Sequence, residues 1–321
     1  MNFKWIIFAI LIVVTAASAS ARQRVAEDDN DHRIARISTT KNVVVTVCIS
    51  SGNIITRGWD KNEVLIDSDS GGQVELRRRD GIEGDSPASA VEAQISETDE
   101  DGHPSAPGCS SSGDVTLNVP RDARLILKTT EGDIDIDGAS EVRVESASGS
   151  MTVRNVPEGV DLNTAAGDLT VENSGGRVRL RSMSGDIVAT DLKPRDAGDN
   201  LIINSASGDV RLARVGLRNV EIRSISGGIS VVGPLAKGGR YQLNTVNGDI
   251  SFGLPPDSSF HLSGRVFQGG DIVTDFPLKY GDSRPPSKLL KGGSIEGAFG
   301  SGDAMLDLMS NSGTIRLRKK Q

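Results

Sequence analysis

The chain has 321 residues, 36% of them hydrophobic and 25% charged, with a formal net charge of -7. That length and balance suffice for a sizeable core and exclude wholesale disorder, while the acidic total excludes a general affinity for nucleic acid, which would repel the chain at long range. Thirty-seven glycines beside only 3% aromatic residues point to many turns joining short strands, not to a compact mixed domain.

In chain order the first element is a targeting segment. "MNFK" supplies a cationic start, "WIIFAILIVV" an apolar run, and "TAASASA" small residues ending in Ala19-Ser20-Ala21 before Arg22. Residues 1–21 read as a removed signal peptide. The run falls short of the ~20 apolar residues a membrane span requires. No later segment could span, and no Cys directly follows the signal to carry a lipid. The expectation is an exported chain, in the periplasm or at the cell surface or secreted, with no stable membrane span after cleavage. Residues 22–33 form a polar linker.

Residues 34–120 read as N-terminal strands and a cap, clearest in "VVVTVCISSGNIITRGWDKNEVLIDS", with a flexible loop expected at 78–113 from its Gly, Ser and Asp content. Cys48 and Cys109 are the only cysteines. In an oxidising compartment the default is a disulfide between them, and their spacing, with no nearby His pair, matches no metal-ligand pattern.

Residues 121–321 carry an internal repeat. Corner glycines recur at Gly132, Gly149, Gly167, Gly185, Gly208, Gly227 and Gly248, with Gly313 closing the series. Seven and five residues before each glycine, and two and four after it, the side chain is apolar: Val178, Leu180, Ile187 and Ala189 around Gly185, and Val220, Ile222, Ile229 and Val231 around Gly227. Period-two hydrophobicity on both sides of a glycine means two short strands meeting at a corner. One unit cannot cover its own apolar side, so units must stack as a β-solenoid. About ten rungs at ~4.8 Å give a stack on the order of 50 Å long.

Three residues before each glycine stands Thr129, Ser146, Thr164, Ser182, Ser205, Ser224, Thr245 or Ser310. A hydroxyl there can bond the corner's backbone amides or its neighbour one rung away. As a nucleophile each would need a base, and the repeats hold one histidine, His261. The residue after the glycine is most often Asp, read as capping its own backbone amides. Calcium is the alternative, because Asp168, Asp186 and Asp209 stack on consecutive rungs and a cation would relieve their repulsion. No cofactor is implied. Outward charges such as Arg143, Asp161 and Arg179, or Lys128 and Glu145, share repeat positions with opposite signs facing across strands, each pair contributing roughly 0.2–1 kcal/mol.

All variation in repeat length falls on the connecting side. Three consecutive connections, "TDLKPRDAGDN", "ARVGLRN" and "VGPLAKGGR", bring Lys193, Arg195, Arg214, Arg218, Lys237 and Arg240 to one edge against Asp191, Asp196 and Asp199. Such an edge could attract an anionic glycan or envelope polymer. The simpler reading is that these long side chains keep loops solvated. Of the eight aromatics outside the signal, seven lie between Tyr241 and Phe299. They either plug the open end of the stack or form a platform for stacking sugars.

"SGNIITRGWDKNEVLI", "NVPRDARLILKTTEGDIDI", the S-x-S-G-D-I rungs, "GLPPDSSFHLSGRVFQGGDIVTDFPL" and "GSGDAMLDLMSNSGTIRLRKK" together resemble the bacterial putative-adhesin, β-strand-repeat family over residues 34–319. The resemblance implies an all-β fold, a single-stranded parallel β-helix, right-handed, outside the cytoplasm, and supplies no catalytic residues. Two functions follow. One is a non-enzymatic exported scaffold, an adhesin or envelope interaction protein meeting a glycan, polymer or envelope protein. The other is a polysaccharide-active lyase or hydrolase, which would need carboxylates and a Lys or Arg base converging on one face.

Overall fold

The computed structural model describes residues 33–69, 73–82, 84, 86–96, 109, 111–280, 288–289 and 292–320. The signal peptide expected at 1–21 and residues 22–32 of the linker lie outside the described residues. Among the described residues every regular element is a strand.

The repeat unit is legible in the rung of Gly185. A long strand, Arg177–Ser184, alternates outward and buried residues, turns at Gly185-Asp186, and continues as a short strand, Ile187–Thr190, with the same alternation. A connecting segment then returns the chain to the next long strand. Long strands pair in parallel, so that Val178 lies between Val160 and Leu201, and Leu180 between Leu162 and Ile203. Short strands do the same, with Ile187 between Leu169 and Val210. Every apolar position of the repeat named from the sequence is buried, from Leu125 through Leu317. Each rung thus sets four side chains into one continuous core, at roughly 1.5–3 kcal/mol per large aliphatic. The third side is closed by Val156, Leu192, Val215 and Leu217, buried residues of the connecting segments.

Stacking order departs from chain order at both ends. The C-terminal strand Ala304–Ser312 sits between Arg240–Asn247 and Phe260–Gln268. Its continuation Ile315–Lys319 sits between Ile250–Leu254 and Ile272–Thr274. At the other end the last residues of Arg33–Cys48 are flanked by Ala88–Ser96 and Arg124–Glu131, and Ile54–Trp59 by Val115–Pro120 and Ile134–Asp137. The first and last long strands among the described residues are therefore built into interior rungs. Gly313 does not close the stack, because Gly270 lies beyond it.

The outer segments also reverse direction. Gln73–Arg78 runs antiparallel to Ala88–Ser96, and Gly292–Phe299 antiparallel to Phe260–Gln268, so the sheet as a whole is mixed, not parallel throughout. The stretch 78–113, expected as a flexible loop, contains the strand Ala88–Ser96, which buries Ala88, Val91, Ala93 and Ile95. Its alternation is hidden among Ser, Glu and Gln on the outward side. Cys48 and Cys109 form the expected disulfide, with Cα atoms 4.8 Å apart.

The aromatic residues near the C-terminal end pack on one another. Phe276 lies 5.2 Å from Phe260 and 4.9 Å from Phe299, centroid to centroid, and Tyr241 meets Phe252 edge-on at 6.4 Å. Tyr241, Phe252, Phe260 and Phe276 are buried. Phe260, Phe276 and Phe299 plug the end of the core while Tyr241 and Phe252 fill a rung further in, and the burial of Tyr241, Phe252, Phe260 and Phe276 excludes a stacking platform built from those four. Phe267 and Tyr280 alone among the seven are exposed large side chains.

Candidate binding surfaces

Where the strands meet, the repeated polar residues are bonded to the scaffold. The hydroxyls of Thr129, Ser146, Thr164 and Ser182 each donate to the backbone carbonyl two residues on. Those of Thr245 and Ser310 donate to the carbonyl of the glycine one rung below. The partners are carbonyls, not the corner amides that were one expectation, and for Thr245 and Ser310 they lie one rung away. Ser205 and Ser224 occupy the same buried position without a hydrogen-bond partner. His261, the one histidine among the described residues, lies on Phe260–Gln268, with Nε2 3.5 Å from a Glu296 carboxylate oxygen.

The corner aspartates form a second ladder. Asp133 accepts from the amide of Ser150, Asp168 from Asp186, Asp186 from Asp209, Asp209 from Gly228 and Asp249 from Thr314, all at 2.7–2.8 Å. Each carboxylate caps the next rung, not its own backbone as expected, because parallel stacking brings that amide directly over it. The second oxygens of Asp186 and Asp209 meet Arg211 at 2.7 and 2.8 Å. The Arg211 hydrogen bond and the Asp209 amide hold the Asp186 carboxyl below the usual carboxylate range. The Thr314 amide and then Arg316 do the same for Asp249.

A further ladder was missed from the sequence. Six residues after the corner glycine stand Gly138, Asn155, Asn173, Asp191, Arg214 and Gly233, and all six have positive φ. Asn155 donates to Asp137 and accepts from Asn173, both at 2.6 Å. Asn and Asp at a fixed offset, residue types that tolerate the left-handed region, were the available signal.

At the connecting edge, all six basic residues singled out from the sequence are exposed, but they are not equivalent. Arg214 grips Asp191 through two bonds of 2.7 and 2.6 Å, which lowers the Asp191 carboxyl. Arg195 pairs with Glu158. The Lys193 ammonium bonds the Asn173 amide oxygen at 3.1 Å. Asp199 is buried and accepts the amides of Arg195 and Asp196 at 2.7 Å each, so it shapes its loop instead of offsetting charge. Arg218, Lys237 and Arg240 form no ion pair among the described residues.

A shallow trough of about 490 Å³ runs over the outer side of the long strands, between the Cys48–Cys109 disulfide and Met183, lined by Lys128, Glu145, Asn163, Ala147 and Ala165. Lys128 and Glu145 pair there at 3.0 Å. Among the described residues no group of three or more His, Cys, Asp or Glu side chains is arranged to hold a metal ion, and no helix is long and apolar enough to cross a membrane.

The family model described as Toastrack DUF4097 matches residues 94–318. No curated protein matches the chain. Among solved structures, similar chains are described as a putative cell adhesion protein from Clostridium sporogenes, 9% identical with a TM-score of 0.27, and putative adhesins from Parabacteroides distasonis and Parabacteroides merdae, 11% and 8% identical with TM-scores of 0.36 and 0.31. Each comparison covers 90% of this chain, and 99%, 98% and 96% of the respective relatives.

Proposed function

The chain belongs to the Toastrack DUF4097 family, and from that premise we propose that it is an exported, adhesin-like β-solenoid that binds an acidic glycan or envelope polymer and carries out no chemistry on it. The observation that supports this most is the use made of the recurring polar residues. The hydroxyls bond corner carbonyls and the carboxylates bond the next rung's amides, so the positions that repeat serve the scaffold. Difference between rungs is left to the outer surface, where a solenoid acquires binding without disturbing its core. The connecting edge, where Arg218, Lys237 and Arg240 form no ion pair among the described residues and the Lys193 ammonium bonds the Asn173 amide oxygen, is one contact region for such a ligand. The disulfide supports export to an oxidising compartment. Right-handed winding of the repeats is favoured because strand–crossover–parallel strand connections take that hand in roughly 98% of cases.

The test is binding of residues 22–321 to immobilised polygalacturonate, with dextran as its neutral counterpart, at low and high salt. Retention on the acidic polymer alone, released by salt, is the expected outcome. Equal behaviour on both, or no retention, would count against an acidic ligand.

A further inference from the structure

The two sheets present different charge to solvent. On the four rungs of Gly185, Gly208, Gly227 and Gly248, the outward positions of the short strands hold a single charged side chain, Arg211, which is engaged by the corner carboxylates of Asp186 and Asp209. Outward positions of the long strands on the same rungs hold Arg177, Arg179, Arg181, Arg223 and Arg240 against Glu221. Arg179 and Arg181 share Asp161 of the preceding rung at 3.3 and 3.5 Å, and Arg223 pairs with Glu221. Arg177 and Arg240 have no carboxylate partner among the described residues. Five guanidinium groups thus share two carboxylates on a flat face, in a chain whose total charge is -7. These are exposed pairs, which water and salt loosen and an incoming anion can replace.

The same face carries an apolar line. Two residues before the glycines stand Met183, Ala206, Ile225 and Val246, on consecutive rungs, with Met183 66% and Ile225 57% exposed. Phe267, 53% exposed, extends the line two rungs further, beyond Asn311. Large apolar side chains exposed in register along one row are not scattered surface residues. Beside this line runs a row of Arg181, Asn204, Arg223 and Asn244, one per rung. Its two arginines stand two rungs apart, about 10 Å at strand spacing.

We propose that this face, the outer side of the long strands from Gly185 to Gly248, is the docking surface for a linear acidic polysaccharide lying along the stack. Its carboxylates meet Arg181 and Arg223, its hydroxyls meet Asn204 and Asn244, and the carbon faces of its rings lie on the Met183–Val246 line. The proposal rests on the reading of the protein as an acidic-polymer binder and names the site and orientation. Charge selects an anionic partner, and the one-rung periodicity of both rows selects a linear one. A nucleic acid fits less well, because the one aromatic of these four strands, Tyr241, is buried and the extended line adds a single outward ring, Phe267, where successive bases need successive rings to stack on. The basic connecting segments lead directly into these strands, as Arg218 does into Asn219–Ser226 and Gly239 into Arg240–Asn247, so edge and face form one basic surface.

The experiment measures the affinity of residues 22–321 for fluorescein-labelled polygalacturonate by anisotropy over a salt series. Arg181→Ser with Arg223→Ser, and separately Ile225→Asp, change the face. Lys193→Ser, Arg218→Ser and Lys237→Ser change the edge, and Arg154→Ser changes the short-strand face. The face variants should bind about tenfold more weakly or worse, with a shallower salt dependence for the arginine pair, while Arg154→Ser binds as the parent does and all keep the parent's melting temperature within a few degrees. Face variants that bind like the parent, while the edge variant weakens, would overturn the face and leave the acidic-polymer reading standing. A parent that does not bind would overturn both. Double-stranded DNA binding as tightly as polygalacturonate would overturn the assignment to a glycan.

Discussion

The carbonyl oxygen of Gly167 lies 2.3 Å from where a Cβ on Gly185 would stand. The same relationship repeats up the stack: a Cβ on Gly208 would meet the Gly185 oxygen at 2.2 Å and one on Gly227 the Gly208 oxygen at 2.1 Å. The corner glycine is required because the preceding rung's backbone passes where a side chain would begin, at a φ of +127° that disfavours any other residue.

Gly185→Ala should therefore destabilise the protein by more than the ~1–3 kcal/mol of the strained backbone alone, since the obstructing atom is backbone and cannot rotate away. Denaturant unfolding measures it. Gly198→Ala, where nothing lies within 4 Å of the added carbon, should be close to neutral. Equal effects at the two sites would mean the ladder does not hold the corners together.

Acid should weaken the stack through its aspartates. In the unfolded chain their carboxyls take up protons near pH 4, whereas Asp186 and Asp249 in the fold resist protonation to lower pH. The unfolded state then binds more protons, so this stabilisation is complete above the ordinary carboxyl range and is lost as pH falls below about 4. Melting temperature against pH should fall less steeply at the acid end for Asp186→Asn with Asp249→Asn than for the parent. Parallel curves would show that the ladder is not what acid removes.

Deletion of residues 304–321 tests the interlocked end. In a stack built in chain order this would remove a last rung and spare the rest. Here it withdraws Leu306, Leu308, Ile315 and Leu317 from between two other rungs, roughly 6–12 kcal/mol of apolar burial against a typical total stability of ~5–15 kcal/mol. The truncated chain should lose cooperative unfolding and bind a dye for exposed apolar surface. A truncated protein with a sharp transition near the parent's would contradict the interior placement.

The period-two pattern around each glycine made the core residues legible from sequence, because burial of alternate residues leaves the same trace in every rung. Which rung lies on which left no such trace. Ala304–Ser312 alternates identically whether it caps the stack or sits inside it, and Ala88–Ser96 alternates identically in parallel and antiparallel pairing. The Asp corners were legible as hydrogen-bond acceptors but not by partner, since the amide of Asp209 is 23 residues from the Asp186 carboxylate that takes it. The basic edge was legible as charge alone. That Arg214 is held by Asp191 while Arg218 is not depends on the left-handed corner that turns residue 214 toward the rung below. The long-strand face escaped because its arginines come from three strands of the repeat, and only stacking gathers them.

The claim that this protein holds a polymer without acting on it is tested most directly by the length of polygalacturonate recovered from the complex after prolonged incubation with residues 22–321. The account predicts polymer that co-elutes with the protein at low salt, is released at high salt, and keeps its original length with no new reducing ends or unsaturated termini. Shortened chains carrying either kind of new end would contradict it and make the protein a hydrolase or a lyase.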